Sequence, residues 1–112
     1  MGWSMKVDEL LRALAEIERA AAMLVSCAFS AAEANALAEA IAEKSKVLRQ
    51  PFGIGRELDT LRGEIAVAGE GIRSLIAEDI EDGREVISSS SRTLLDLIDH
   101  FFRLSDNSSR AA

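Results

Sequence analysis

His100 is the one histidine of this 112-residue chain and Cys27 its one cysteine. These two side-chain types carry much of the general-base, nucleophilic and transition-metal chemistry available near neutral pH. A zinc site needs three or four clustered ligands, and one His with a distant Cys supplies too few. The Glu-x-x-His pairs that facing helices contribute to di-iron bundles are missing. Asp96 stands four residues before His100, a spacing that puts both on one helical face and predicts a hydrogen-bonded surface pair. Cys27 lies in an apolar stretch with no His or Lys close in sequence to lower its pKa, so a small buried thiol is expected. A lone cysteine also leaves the fold independent of disulfides.

Carboxylates offer a second chemistry. Glu78, Asp79, Glu81, Asp82 and Glu85 place five acids within eight residues. With Gly83 set at the turn of a calcium loop, Ile80 falls on a ligand position, so the pattern fails as an EF-hand. A solvated acidic corner is the plainer reading. Docking on a basic partner, including mimicry of nucleic-acid phosphates, is the functional one. Gly53-Ile54-Gly55 follows no strand and leads into no Lys-Ser or Lys-Thr, so it makes no phosphate loop. The residues therefore predict no catalytic set, no cofactor and no metal site.

The elements that carry these residues are easier to read. Val7, Leu10, Leu14, Ile17, Ala21, Leu24 and Ala28 recur in alternating steps of three and four. Leu58, Leu61, Ile65, Ala68, Ile72 and Leu75 repeat the rhythm in the second half. Such spacing keeps one stripe of a helix turned toward a partner helix. Hydrophobic residues make up 48% of the chain but aromatics only 4%, so Ala and Leu must do most of the packing. There is one proline and no tyrosine, again unlike a sheet protein. The fold class expected is all-α, an antiparallel helical bundle.

Residues 1–104 form one helical domain in this reading, and the polar tail 105–112 is expected to be disordered. The main turn falls at residues 50–55, where Pro51 disfavours helix before it and two glycines follow. Phe52 and Ile54 are expected to fold back over the core. Secondary breaks suggest themselves near residues 29–31, where Ser30 and Glu33 match a capping box, and near 82–84, where Asp82-Gly83 signals a turn. Ser88 to Ser91 form a polar run whose hydroxyls can bond back to the preceding turn. Gly63, Gly69 and Gly71 inside the third helix suggest close backbone approach to a neighbour. Two architectures remain open, four helices in one chain or two long helices that pair with a second copy into a four-helix bundle.

The net charge of −6 argues against a direct nucleic-acid ligand. Lys44, Lys46 and Arg49 cluster at an expected helix end, where they complement the dipole. The apolar stretch Ala20 to Ala32 is shorter than the roughly 20 residues a membrane span needs. Lys6, Asp8 and Glu9 follow Met1 with no cleavable apolar run, so no leader is read and a cytoplasmic location is expected. Arg outnumbers Lys and Ala is abundant, a bias associated with GC-rich bacterial genomes.

The layout from Val7 to Leu104, two helical halves around a central turn in a small acidic chain, resembles the WXG100-like substrates of type VII secretion. That resemblance implies a leaderless exported hairpin paired with a second small helical protein. The family's Trp-x-Gly turn is replaced here by Phe52-Gly53-Ile54-Gly55, and the only tryptophan is Trp3. Its C-terminal Tyr-x-x-x-Asp/Glu export signal is missing for want of any tyrosine.

The function expected from the residues is non-enzymatic contact with other proteins, as an adaptor, regulator or inhibitor, with self-association into a homodimer. The contact residues proposed are Leu10, Leu14, Ile17, Leu24, Leu58, Leu61 and Ile65, provided a seam is left open in the single chain. Glu78, Asp79, Glu81 and Asp82 are the alternative docking set.

Overall fold

A computed structural model describes residues 2–26, 29–49, 53, 55–78 and 83–111, with backbone only at 2–7, 77–78 and 107–111. Four helices follow one another: α1 Gly2–Val25, α2 Ala31–Val47, α3 Arg56–Glu78 and α4 Arg84–Ala111. α1 packs against α2 and α4, and α3 packs against the same two, so the helices close into an up-down ring about one core. The molecule measures 47 × 22 × 18 Å. Of the two architectures left open by the sequence, the chain adopts four helices.

α1 ends at Val25 and α2 begins at Ala31, and α3 ends at Glu78 and α4 begins at Arg84. Ser30 caps α2 with an extended backbone while its Oγ accepts from the Glu33 amide at 3.2 Å. Glu33 reaches back to the Ser30 amide at 3.3 Å, completing the capping box. Two helix-end amides are thereby satisfied. At the other end of α2, Lys44 and Lys46 occupy the last turn, as the dipole favours. At the main turn Gly53 has φ 67° and Gly55 φ 122°, conformations that a Cβ strongly resists. The rest of that turn, including Phe52 and Ile54, lies outside the described residues.

Leu10, Leu14, Ile17, Ala21 and Leu24 are fully buried, as their spacing demands. Val7 and Ala28, the ends of that seam, are not among the described side chains. On α3 the buried set is Leu58, Leu61, Arg62, Ile65, Ala66, Ile72 and Ile76, joined by Gly69, while Ala68 and Leu75 lie half-buried at its edge. The stripe has therefore turned toward α2 relative to the expected heptad. A straight helix of 3.6 residues per turn drifts against a strict seven-residue repeat, and two neighbours rather than one must be met. α4 contributes Ile87, Leu94, Ile98 and Phe101. It continues to Ala111, past the boundary at Leu104, because extending a formed helix adds one hydrogen bond per residue fixed.

Candidate functional site

Three inward-reaching polar side chains, Arg62, Arg84 and Ser88, are fastened to carbonyls at the ends of helices or in the turn between them. Arg62 on α3 is 9% exposed, and its guanidinium donates to the Leu48 carbonyl, the C-cap of α2, and at 3.3 Å to Asp59 Oδ1. Arg84, the first residue of α4, donates to the Phe29 carbonyl at 2.7 Å and stacks over the Phe29 ring at 4.8 Å. One turn on, Ser88 Oγ donates to the Val25 carbonyl at 2.7 Å. Carbonyls at or beyond helix C-termini lack intrahelical partners, so these three residues close both corners flanking α2. The hydroxyl of Ser88 thus bonds across to α1 instead of back along its own helix.

Ser45 and Gly69 mark the closest approach. Ser45 is fully buried and its Oγ donates to the Ile41 carbonyl at 2.7 Å. A Cβ built on Gly69 would lie 2.3 Å from that Oγ and 3.1 Å from Ile41 Cγ2. Close approach therefore explains Gly69 but not Gly63 or Gly71, where a Cβ would meet nothing within 4 Å. Ser91 is also fully buried, and its Oγ has no hydrogen-bond partner among the described residues.

Ion pairs staple the outer surface. Glu16 on α1 holds Lys44 at 3.0 Å and raises its pKa above the usual 10.5, chiefly by hydrogen bonding and then by its charge. Arg73 meets Glu39 at 3.0 Å and Arg49 meets Glu70, both between α3 and α2. The cationic cluster at the end of α2 thus reaches sideways to two neighbouring helices as well as complementing its own dipole.

Leu10, Leu14, Ile17, Leu24, Leu58, Leu61 and Ile65 are at most 7% exposed inside the chain's own core. The condition set for them to meet a partner, a seam left open in the single chain, does not hold. Closing four helices within one chain covers both seams. Of the acidic set, the Glu78 side chain and all of Asp79, Glu81 and Asp82 lie outside the described residues, as does Cys27. Glu85 sits exposed in the first turn of α4, where the dipole favours an anion.

His100 is exposed in the groove between α3 and α4, with Glu57 and Glu64 across from it and Leu61, Leu97 and Leu104 beneath. No hydrogen bond joins it to Asp96 among the described residues. The i,i+4 pair that does form nearby is Asp99 with Arg103, at 3.0 Å. The same groove continues upward past Ala68, Gly71, Ile72 and Leu75 on α3 and Ser90 and Thr93 on α4. Val67 and Val86 are well exposed, and Met23 stands over a second groove between α1 and α2.

Among the described residues no group of three or more His, Cys, Asp or Glu side chains is placed to hold a metal ion. No described helix is long and apolar enough to cross a membrane. Each of the two helical halves behind the secretion-substrate resemblance is itself a pair of helices, α1 with α2 and α3 with α4. No family model, curated protein or solved structure matches this chain.

Proposed function

We propose that the chain works as a small helical contact protein, an adaptor, regulator or inhibitor, rather than as an enzyme. The observation that carries this reading is how the inner polar groups are used, all but the unbonded Ser91 hydroxyl. Arg62, Arg84, Ser88 and Ser45 each donate to a backbone carbonyl that a helix end or a neighbouring turn presents. A catalytic centre keeps such groups free to meet substrate, with perturbed pKa values in a cleft. Here they set the geometry of helices, and what the molecule offers outward is shallow helix-helix grooves with Met23, Val67 and Val86 exposed beside them. A self-associating form belongs to the same proposal.

The test is isolation of the full chain from its own cells after mild cross-linking. The expected result is a stoichiometric complex heavier than the 12.1 kDa chain that re-forms from its purified components. Recovery of the free chain alone, at every expression level, overturns the reading.

A further inference from the structure

The corners between neighbouring helices are closed on different terms. Glu16 and Lys44 bridge α1 and α2, while Arg49–Glu70 and Arg73–Glu39 bridge α2 and α3. Ser88 on α4 donates across to the last carbonyl of α1. Among the described residues no ion pair crosses from α3 to α4, where the nearby pairs Arg62–Asp59 and Arg103–Asp99 each stay within one helix.

This unbridged groove has an ordered apolar floor. Leu61, Ala68 and Leu75 on α3 are seven residues apart, as are Leu97 and Leu104 on α4. All but Leu61 stay half-buried after the ring has closed. A seven-residue repeat keeps such side chains in line, and from Leu61 to Leu75 the line runs about 21 Å. Beside it Gly71 leaves open space, since a Cβ there would meet nothing within 4 Å. On the α3 rim Glu57 and Glu64 are also seven apart and exposed, and neither is ion-paired among the described residues. Arg56 lines the groove with them, and His100 faces them from α4.

We propose that the α3–α4 groove binds an amphipathic helix of a partner protein, basic along one flank. Its apolar stripe lies on Leu61, Leu75, Leu97 and Leu104, and a Lys or Arg stands beside each of Glu57 and Glu64. This rests on the reading that the protein works through contacts, and it gives that reading a surface and a partner chemistry. A helix suits the groove because it satisfies its own backbone groups. An extended segment laid between two helices would find no amides or carbonyls to pair with. Charge decides the flank: two unbridged carboxylates face one guanidinium, in a chain of net charge −6. A second copy carries the same −6 and is disfavoured as the occupant.

The experiment titrates the purified full chain into a fluorescein-labelled synthetic helix of about 15 residues, four turns long. The probe carries Leu at alternating steps of three and four and Lys seven apart on one flank, and binding is read by fluorescence anisotropy. One control peptide has the same composition with its leucines shuffled out of the stripe, and another has Glu in place of Lys. The Lys probe is expected to bind with a Kd on the order of micromolar, and both controls at least about tenfold more weakly. Glu57→Lys/Glu64→Lys, at unchanged helix content by circular dichroism, should reverse the preference in favour of the Glu peptide. The same reversal on exposed positions of α1, Glu9→Lys/Glu18→Lys, should leave the preference for the Lys probe in place. Three results overturn the proposal: no saturable binding up to about 1 mM, equal binding of the shuffled peptide, or equal loss from the α1 reversal. A dimer of the chain that the probe dissociates, seen by light scattering, gives the groove to a second copy and overturns the partner helix. None of these results touches the complex isolated from cells, so the two readings fail separately.

Discussion

The two flanks of α3 are built on different terms. Toward α2 the backbone of Gly69 comes down on Ser45, Arg62 is drawn inward to the Leu48 carbonyl, and two ion pairs close the outside. Toward α4 the groove is lined by Leu61, Ala68, Ile72 and Leu75 opposite Ser90, Thr93, Leu97 and Leu104, an interface of side-chain packing. Packing of this kind tolerates exchange of one apolar residue for another of similar volume. Close approach and a buried guanidinium do not tolerate change in the same way, because each fixes one residue to particular partners. The α2 flank therefore sets how α3 sits, and the α4 flank adds apolar burial.

Removing Arg62 should break that contrast most. Arg62→Ala takes the guanidinium away from a carbonyl at a buried corner and leaves a void where its stem lay. A loss of about 2–3 kcal/mol is expected, from a hydrogen bond involving a charged group plus lost packing. Urea unfolding checks it as a lowered midpoint at unchanged slope. Arg62→Met restores the stem without the donor and should recover only part of the loss. Full recovery by Met would mean that packing alone matters on this flank too.

Gly69→Ala is the next largest change. The new methyl must displace the Ser45 hydroxyl, which is fully buried and bonded to the Ile41 carbonyl. Helix propensity gains about 1 kcal/mol, but a stranded hydroxyl costs roughly 1–3, so a net destabilisation of up to about 2 kcal/mol is expected. In a Ser45→Ala background the obstructing oxygen is gone and the same substitution should be close to neutral. A double-mutant cycle read by thermal unfolding gives the coupling directly. Additive effects would show that the hydroxyl is not what excludes a side chain at position 69.

These sites also mark how far the sequence could be read. The apolar rhythm of α1, the Ser30–Glu33 capping box and the glycine turn before Arg56 rest on local rules that involve one helix at a time. They are visible without knowing any neighbour. Arg62, Arg84 and Ser88 act on carbonyls at the ends of other helices or in the turn between them, 14, 55 and 63 residues away, and nothing local announces the pairing. Faint signals do exist. Arg62 sits on the apolar stripe between Leu58 and Ile65, and Arg84 is a cation in a helix's first turn, where the dipole opposes it. A charge against the local rule calls for a partner elsewhere, but not for a particular one. The three glycines of α3 look alike in sequence, and only the packed bundle separates Gly69 from the other two.

Gly71→Ala sharpens the comparison from the α4 side. A Cβ there meets nothing within 4 Å, and the residue is exposed at the rim of the α3–α4 groove. The substitution should stabilise the protein by about 0.5–1 kcal/mol through helix propensity, opposite in sign to the one made two residues earlier. Gly63→Ala should do the same for the same reason. Destabilisation by Gly71→Ala, seen as a lowered thermal midpoint, would mean that the α4 flank also depends on close backbone approach.

The smallest effect belongs to the ion pair between α1 and α2. Lys44 has its pKa raised above 10.5 by Glu16, so the folded state holds that proton more tightly than the unfolded chain does. The contribution is therefore complete below pH 10.5 and is lost as the pH rises through the raised value. Both side chains are well exposed, at 42% and 52%, so the loss is small and sensitive to salt. Urea midpoints measured from pH 9 to pH 12 should fall more steeply for wild type than for Glu16→Gln, and about 1 M salt should erase the difference. An identical fall in both proteins would show that α1 is held to α2 by its apolar seam alone. The first hairpin would then resemble the α4 flank of α3 rather than the α2 flank.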